Sequence, residues 1–241
     1  MKKSTLALSA LVALTSLPTV AVADLAFNIG AFTDYRYRGV SQTRLKPALQ
    51  GGVDYSNANG IYLGAWASTI KWIKDAKGDA DVEIDLYGGY KGEIQKDFGY
   101  DVGVLTYQYP NNKLNPRAET TELYGALNIG PATVKYSHSV SNLFGYAKSK
   151  NSGYLDLSAS FEIYEGWSLA PHVGYQKVAH NSDYSFTDFA LTLSKDFSGV
   201  VVSAALISAS VNKIGSTPAY ASPSGKDLGK TGLVLGAKYN F

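Results

Sequence analysis

The ionisable residues of this chain recur at every second position of extended segments. Glu83 and Asp85 are two apart, as are Arg36 and Arg38. Glu122, Asp156, Lys177 and Asp188 stand in segments with the same alternation. Side chains two apart share one face of a strand, so these groups are expected on the polar faces of β-strands. Charged groups brought together around a narrow lumen select ions. The chemistry implied is therefore a constriction lined by Arg36, Arg38, Glu83, Asp85, Glu122, Asp156, Lys177 and Asp188. Its signs are mixed, with a mild acidic excess, which points to weak cation preference. The competing reading is a set of ion pairs that fills the lumen, because lone buried charges are costly and pairing relieves them.

Catalytic arrangements are weaker. The run Tyr136-Ser137-His138-Ser139-Val140-Ser141 places a histidine beside serines, as a lipid-acting barrel enzyme would. In a strand, however, His138 shares its face with Tyr136 and Val140, and meeting Ser139 would need a bulge. His172 faces inward alone and His180 lies in a connection. Three scattered histidines do not supply a metal site, and with no cysteine there is no thiolate chemistry. No catalytic residue, cofactor or metal is expected.

The elements that must position the charges are strands. Twelve segments alternate between apolar and polar: 25–38, 48–56, 61–70, 81–91, 98–108, 119–129, 132–140, 154–163, 167–178, 185–197, 200–211 and 231–241. In the first, Leu25, Phe27, Ile29, Ala31, Tyr35 and Tyr37 oppose Asn28, Gly30, Asp34, Arg36 and Arg38. In 61–70 and 200–211 both faces carry apolar groups and the facing is open. Short connections rich in Gly, Pro and Asn, as at 57–60 and 130–131, alternate with longer ones, as at 71–80, 109–118 and 212–230. That is the rhythm of an outer-membrane barrel with short periplasmic turns and long outer loops. The expected fold is all-β: a single twelve-stranded antiparallel transmembrane β-barrel over 24–241. A soluble barrel predicts the same alternation. Against it stand the small residues beside the inward charges, the aromatics at strand ends, and the final strand ending on Phe241.

Residues 1–23 read as a cleaved secretory signal peptide: Lys2 and Lys3, an apolar run, then Ala21-Val22-Ala23. Removing the two lysines leaves 20 basic against 20 acidic residues, so no nucleic-acid surface is implied. The 18 Tyr and 24 Gly suit a membrane boundary and crowded barrel walls. The loop Lys71-Trp72-Ile73-Lys74-Asp75-Ala76-Lys77 is basic and aromatic. It is a candidate to touch lipopolysaccharide phosphates or to rest as a solvated loop with an interfacial Trp. The long segment 212–230 is expected to be a mobile outer loop, able to fold inward over the lumen.

The stretch Asp34-Tyr35-Arg36-Tyr37-Arg38-Gly39-Val40-Ser41-Gln42-Thr43, then Pro47–Tyr55, Gly60–Ser68 and Glu83–Tyr90, resembles the TorF porin family, known also as the Gcw-chp conserved hypothetical family. The resemblance implies a Gram-negative outer-membrane barrel and carries over no catalytic residues. The expected function is a passive porin for small hydrophilic solutes. The alternatives are a closed barrel with a structural or surface role and, last, a lipid-acting enzyme. Expected partners are outer-membrane lipid and lipopolysaccharide, the solutes, and the outer-membrane assembly machinery, through Phe241.

Overall fold

The computed structural model describes residues 24–241; the signal peptide read at 1–23 lies outside the described residues. The alternating segments pair antiparallel in chain order. They form β1 (Asp24–Phe32), β2 (Ala48–Ser56), β3 (Ile61–Thr69), β4 (Val82–Gln95), β5 (Phe98–Gln108) and β6 (Thr120–Ile129). Then follow β7 (Ala132–Ser139), β8 (Gly153–Ala159, resuming as Phe161–Tyr164), β9 (Trp167–Lys177), β10 (Phe186–Phe197), β11 (Val200–Ser210) and β12 (Gly232–Asn240). β12 pairs with β11 on one side and with β1 on the other, Ile29 opposite Tyr239 and Ala31 opposite Ala237. The wall therefore closes into a twelve-stranded barrel with no open edge, the form in which strands can stand in hydrocarbon.

The large apolar groups are the exposed ones. Leu25, Ile29, Leu49, Leu63, Leu86, Leu123, Leu155, Leu191, Leu206 and Leu233 all point away from the barrel axis. A soluble barrel would bury them; here they form a lipid-facing belt, and the chain is an outer-membrane barrel. Aromatics rim the end that carries the short turns. Phe27 stacks on Phe241, Tyr90 lies by Tyr100, and Trp167 meets Phe197 beneath the Lys195 ammonium.

The two segments of open facing are now settled. In β3 the inward residues are Tyr62, Gly64, Trp66 and Ser68, and Ile61 and Leu63 face lipid. In β11 the inward residues are Val201, Ser203, Ala205 and Ala209. This stretch of lumen wall is apolar, which is why alternation could not orient it. β4 runs four residues past the segment read at 81–91, and its turn shrinks to Lys96-Asp97.

The first segment departs from the sequence reading. β1 stops at Phe32 rather than at Arg38. Residues 33–47 turn into the lumen, where Arg36–Tyr37 and Val40–Ser41 make a two-stranded hairpin. Arg38 and Gly39 form its turn with φ of 47° and 78°, the positive pair of a type I′ turn. Tyr35 and Tyr37, expected among the lipid-facing residues, are therefore inside.

The lipid face and the lumen predict different tolerances. Leu191→Lys, in the middle of the lipid-facing side of β10, is expected to destabilise the barrel by roughly 2–4 kcal/mol. Thr192→Lys, facing the lumen next to it, should cost much less. Denaturant titration of protein folded into lipid vesicles measures both, and equal costs would contradict the assigned facing.

Candidate functional site

The segment 33–47 is held as a plug by one carboxylate. Asp34 accepts hydrogen bonds from Ser41 Oγ at 2.6 Å and Thr43 Oγ1 at 2.9 Å, and pairs with Arg36 Nε. Arg36 Nη1 then donates to the carbonyls of Gly39, Leu228 and Lys230 at 2.9, 3.0 and 3.1 Å. Arg36 thus ties the plug to the last outer loop rather than to the other charges. That loop, expected to be mobile, lies over the plug: Leu228 packs with Val40, Phe186 and Ala209. On the opposite wall Tyr35, Tyr37, Tyr107, Tyr109 and Phe144 form an apolar cluster with Ile70 and Ile73. The plug therefore crosses the lumen from one wall to the other. Gly39 permits the crossing, because a Cβ there would stand 2.7 Å from Asp188 Cβ and 2.8 Å from the Ser208 carbonyl.

Arg38, at the tip, gathers the wall around it. Its guanidinium donates to Glu122 Oε2 at 2.7 Å and to Gln176, and lies 4.1 Å over the Tyr154 ring and 4.8 Å over Tyr37. Tyr107 Oη donates to the same Glu122 oxygen at 3.1 Å and bonds Tyr37 Oη at 2.6 Å. Tyr35 Oη donates to Glu83 at 2.6 Å. Asp85 lies beside Tyr107 in register. Asp85 Oδ1 and Glu122 Oε1 have no partner among the described residues. Glu83, Asp85, Glu122 and Asp188 are 1–2 % exposed.

A second group lies next to Arg38 on β8, β9 and β10. His172 contacts Asp156 Oδ2 at 2.7 Å through Nε2, and its Nδ1 is 3.5 Å from Asp188. Tyr154 Oη donates to Asp188 Oδ2 at 3.0 Å. Of the eight residues named from the sequence, six meet in this region: Arg38, Glu83, Asp85, Glu122, Asp156 and Asp188. Arg36 is drawn off to the last outer loop. Lys177 points outward and is exposed, because Gln176 takes the inward position and strand neighbours alternate. The sequence reading put Tyr35 and Tyr37 on the lipid face, and it passed over Tyr154 and the partners of His172. The parity of β8 and β9 gave a usable signal for Tyr154, Gln176 and His172, but nothing in the sequence brings Arg38 to them.

The lumen changes character below the plug. Asp54, Lys91, Asp101, Lys135, Asp156, His172 and Lys238 all face inward and are partly buried. Lys91, Asp101, Ala126, Lys135, Asp156, Gly174 and Asp188 follow one another in cross-strand register. A stair of charge therefore climbs the wall from the short-turn end to the plug.

The other candidates resolve simply. β7 keeps unbroken register through His138 opposite Leu123 and Ser139 opposite Glu122. His138 stays outside, Ser139 inside, and the pair forms no catalytic dyad. The loop at 71–77 turns Trp72 inward against Tyr109 and buries Ile73. Lys74 pairs with Asp81 at 2.9 Å, holding that carboxyl below its usual range, and Asp75 pairs with Arg44. Its Trp is not interfacial, and two of its charges are already paired. Among the described residues no group of three or more His, Cys, Asp or Glu is arranged to hold a metal ion.

Residues 19–241 match the model of a family described as bacterial protein of unknown function (Gcw_chp). The chain belongs to the Gcw_chp family. No curated protein matches its sequence. Among solved structures, the KdgM porin in complex with disordered oligogalacturonate is similar in fold, with a TM-score of 0.57 at 9% identity over 91% of this chain and 99% of that one. The COG4313 outer membrane channel from Pseudomonas putida F1 aligns with a TM-score of 0.49 at 12% identity, over 93% of this chain and 96% of that one. LpxR from Salmonella typhimurium aligns with a TM-score of 0.41 at 11% identity, over 90% and 99%. The KdgM likeness agrees with the barrel this Gcw_chp chain forms.

Arg38→Ala strips Glu122 of the one cation it touches among the described residues and leaves a buried carboxylate without its ion pair. A loss of about 3–5 kcal/mol of stability is expected. Arg38→Ala combined with Glu122→Gln should recover a large part of it. Thermal unfolding in detergent measures both, and additive losses would show that the two groups are not coupled.

Proposed function

We propose that this barrel is a passive channel for small hydrophilic solutes, with its constriction where the plug meets the wall. The supporting observation is the charged and only partly buried lumen below the plug. Seven ionisable groups line it where a filler needs only packed apolar side chains. The constriction consists of Arg38 against Glu122 and Asp188, with Asp156 and His172 beside it and Glu83 and Asp85 on the adjoining wall. The excess of carboxylates over guanidinium favours cations. In this reading catalysis has no part, residues 1–23 export the chain into a Gram-negative envelope, and Phe241 presents the last strand to the assembly machinery.

A second reading is supported by the near-zero exposure of Glu83, Asp85, Glu122 and Asp188. It takes the plug as a permanent cap and the barrel as a surface or structural element. Planar-bilayer recording separates the two. The channel reading expects small, cation-preferring conductance from the intact protein. It also expects larger conductance when residues 36–41 are replaced by a short Gly-Ser link, and weaker cation preference in Glu122→Gln. No events from the intact protein, with conductance only after the replacement, would leave the cap. Silence from both would remove the channel altogether.

A further inference from the structure

The sequence places Lys177 in the lumen; the structure turns it to the outer surface, where it stands at the edge of an open groove. On β9 and β10 the lipid-facing belt stops at Tyr175 and Phe189, both half-exposed. The row of Tyr175 continues in cross-strand register as Thr187 and Ser210. Two small polar groups therefore follow the large apolar ones. The connection 178–185 rises beyond the strand ends and overhangs this row. The groove left beneath it has a volume of about 820 Å³, and Tyr175, Lys177, His180, Thr187, Phe189 and Ser210 are among its lining residues.

The overhang is fixed rather than loose. The Asn212 amide donates to the carbonyls of Ser182, Asp183 and Ser185 at 3.4, 3.2 and 3.1 Å. Ser185 Oγ accepts from the Val178 amide at 2.9 Å. His180 Nδ1 donates to the Lys148 carbonyl at 3.0 Å, and Asn181 Nδ2 to the Ala147 carbonyl at 2.9 Å. These bonds dock the neighbouring outer loop alongside. Among the described residues Lys177 makes no ion pair, so its ammonium is free to meet an anion, as those of Lys74 and Lys113 are not. The groove thus joins apolar rings at the level of the hydrocarbon to unmatched positive charge just above it. Aromatic rings and lysines divide in this way at a membrane boundary.

We propose that this groove seats the phosphorylated headgroup of an outer-leaflet glycolipid. Lys177 and His180 hold the phosphate. Thr187 and Ser210 face the sugar hydroxyls, and Tyr175 and Phe189 flank the first part of an acyl chain. The site is on the outside of the wall and does not depend on whether the lumen conducts.

The test is native mass spectrometry of the full-length barrel folded in detergent, titrated with bisphosphorylated lipid A and with the same lipid after phosphate removal. The intact protein is expected to retain the phosphorylated lipid, and the dephosphorylated one roughly tenfold less well. Lys177→Gln with His180→Gln should lower retention of the phosphorylated lipid to that same level. Ser210→Trp, which fills the groove without changing charge, should weaken both lipids. Lys74→Gln, whose ammonium is already paired, should change neither. Heat-modifiable electrophoretic mobility confirms that each variant is folded. Equal retention of the two lipids by the intact protein, or unchanged retention by the double variant, would overturn the site.

Discussion

A backbone amide facing hydrocarbon has no water to bond, so every strand in the bilayer needs a neighbour on both sides. In this chain that requirement falls on β1 and β12, whose pairing converts a twelve-stranded ribbon into a wall without edges. Closure has a second effect. It confines every inward polar side chain to a narrow lumen, where those groups must satisfy one another. Tyrosine does much of this. Tyr62 bonds Asp101 and Tyr124, Tyr87 bonds Asp54, and Tyr35, Tyr107 and Tyr154 bond Glu83, Glu122 and Asp188. The high tyrosine content therefore serves the lumen as well as the membrane boundary. The rings lie flat where the adjacent strand carries glycine: Tyr87 over Gly64, Tyr124 over Gly103 and Tyr154 over Gly174.

The plug follows from the same confinement. Asp34 gathers Arg36, Ser41 and Thr43 into a self-contained turn, and the hairpin can then enter the lumen with its own polar groups already bonded. Arg38 is left at the tip to meet the wall. The stretch 34–43, one of the four that together carry the family resemblance, forms this hairpin. Plug and wall divide the lumen into an outer half with buried carboxylates and an inner half whose ionisable groups are only partly buried. The outer half gathers four carboxyl groups, three of which accept from tyrosine hydroxyls, with the His172 imidazole beside Asp188.

The outer surface is equally uneven. On one side the rim charges are matched, Lys74 with Asp81, Lys113 with Asp79 and Arg44 with Asp75. Over β9 and β10 the connection 178–185 overhangs a notch whose Lys177 has no such match among the described residues. The contrast explains why a basic, aromatic run such as 71–77 is a poor guide to surface chemistry. Its Trp72 packs against the core cluster, and two of its charges are paired, Lys74 with Asp81 at the end of the same connection and Asp75 with Arg44 of the plug segment.

Alternation alone determined the strands, their order, the inward placement of Glu83, Asp85, Glu122, Asp156 and Asp188, and the lipid belt. A period of two is a local property, written in adjacent residues and insensitive to what lies across the barrel. It was silent where both faces were apolar, as in β3 and β11. It misled where the chain left the strand, as after Phe32, since a tight turn resets the parity and carries Tyr35 and Tyr37 inside. Only the tertiary structure decided that Arg38 reaches Glu122, 84 residues away in the chain, and that Arg36 belongs to the last outer loop. Those outcomes depend on closure and on the inserted hairpin, which bring together groups that share no sequence neighbourhood and so leave no periodic trace in it.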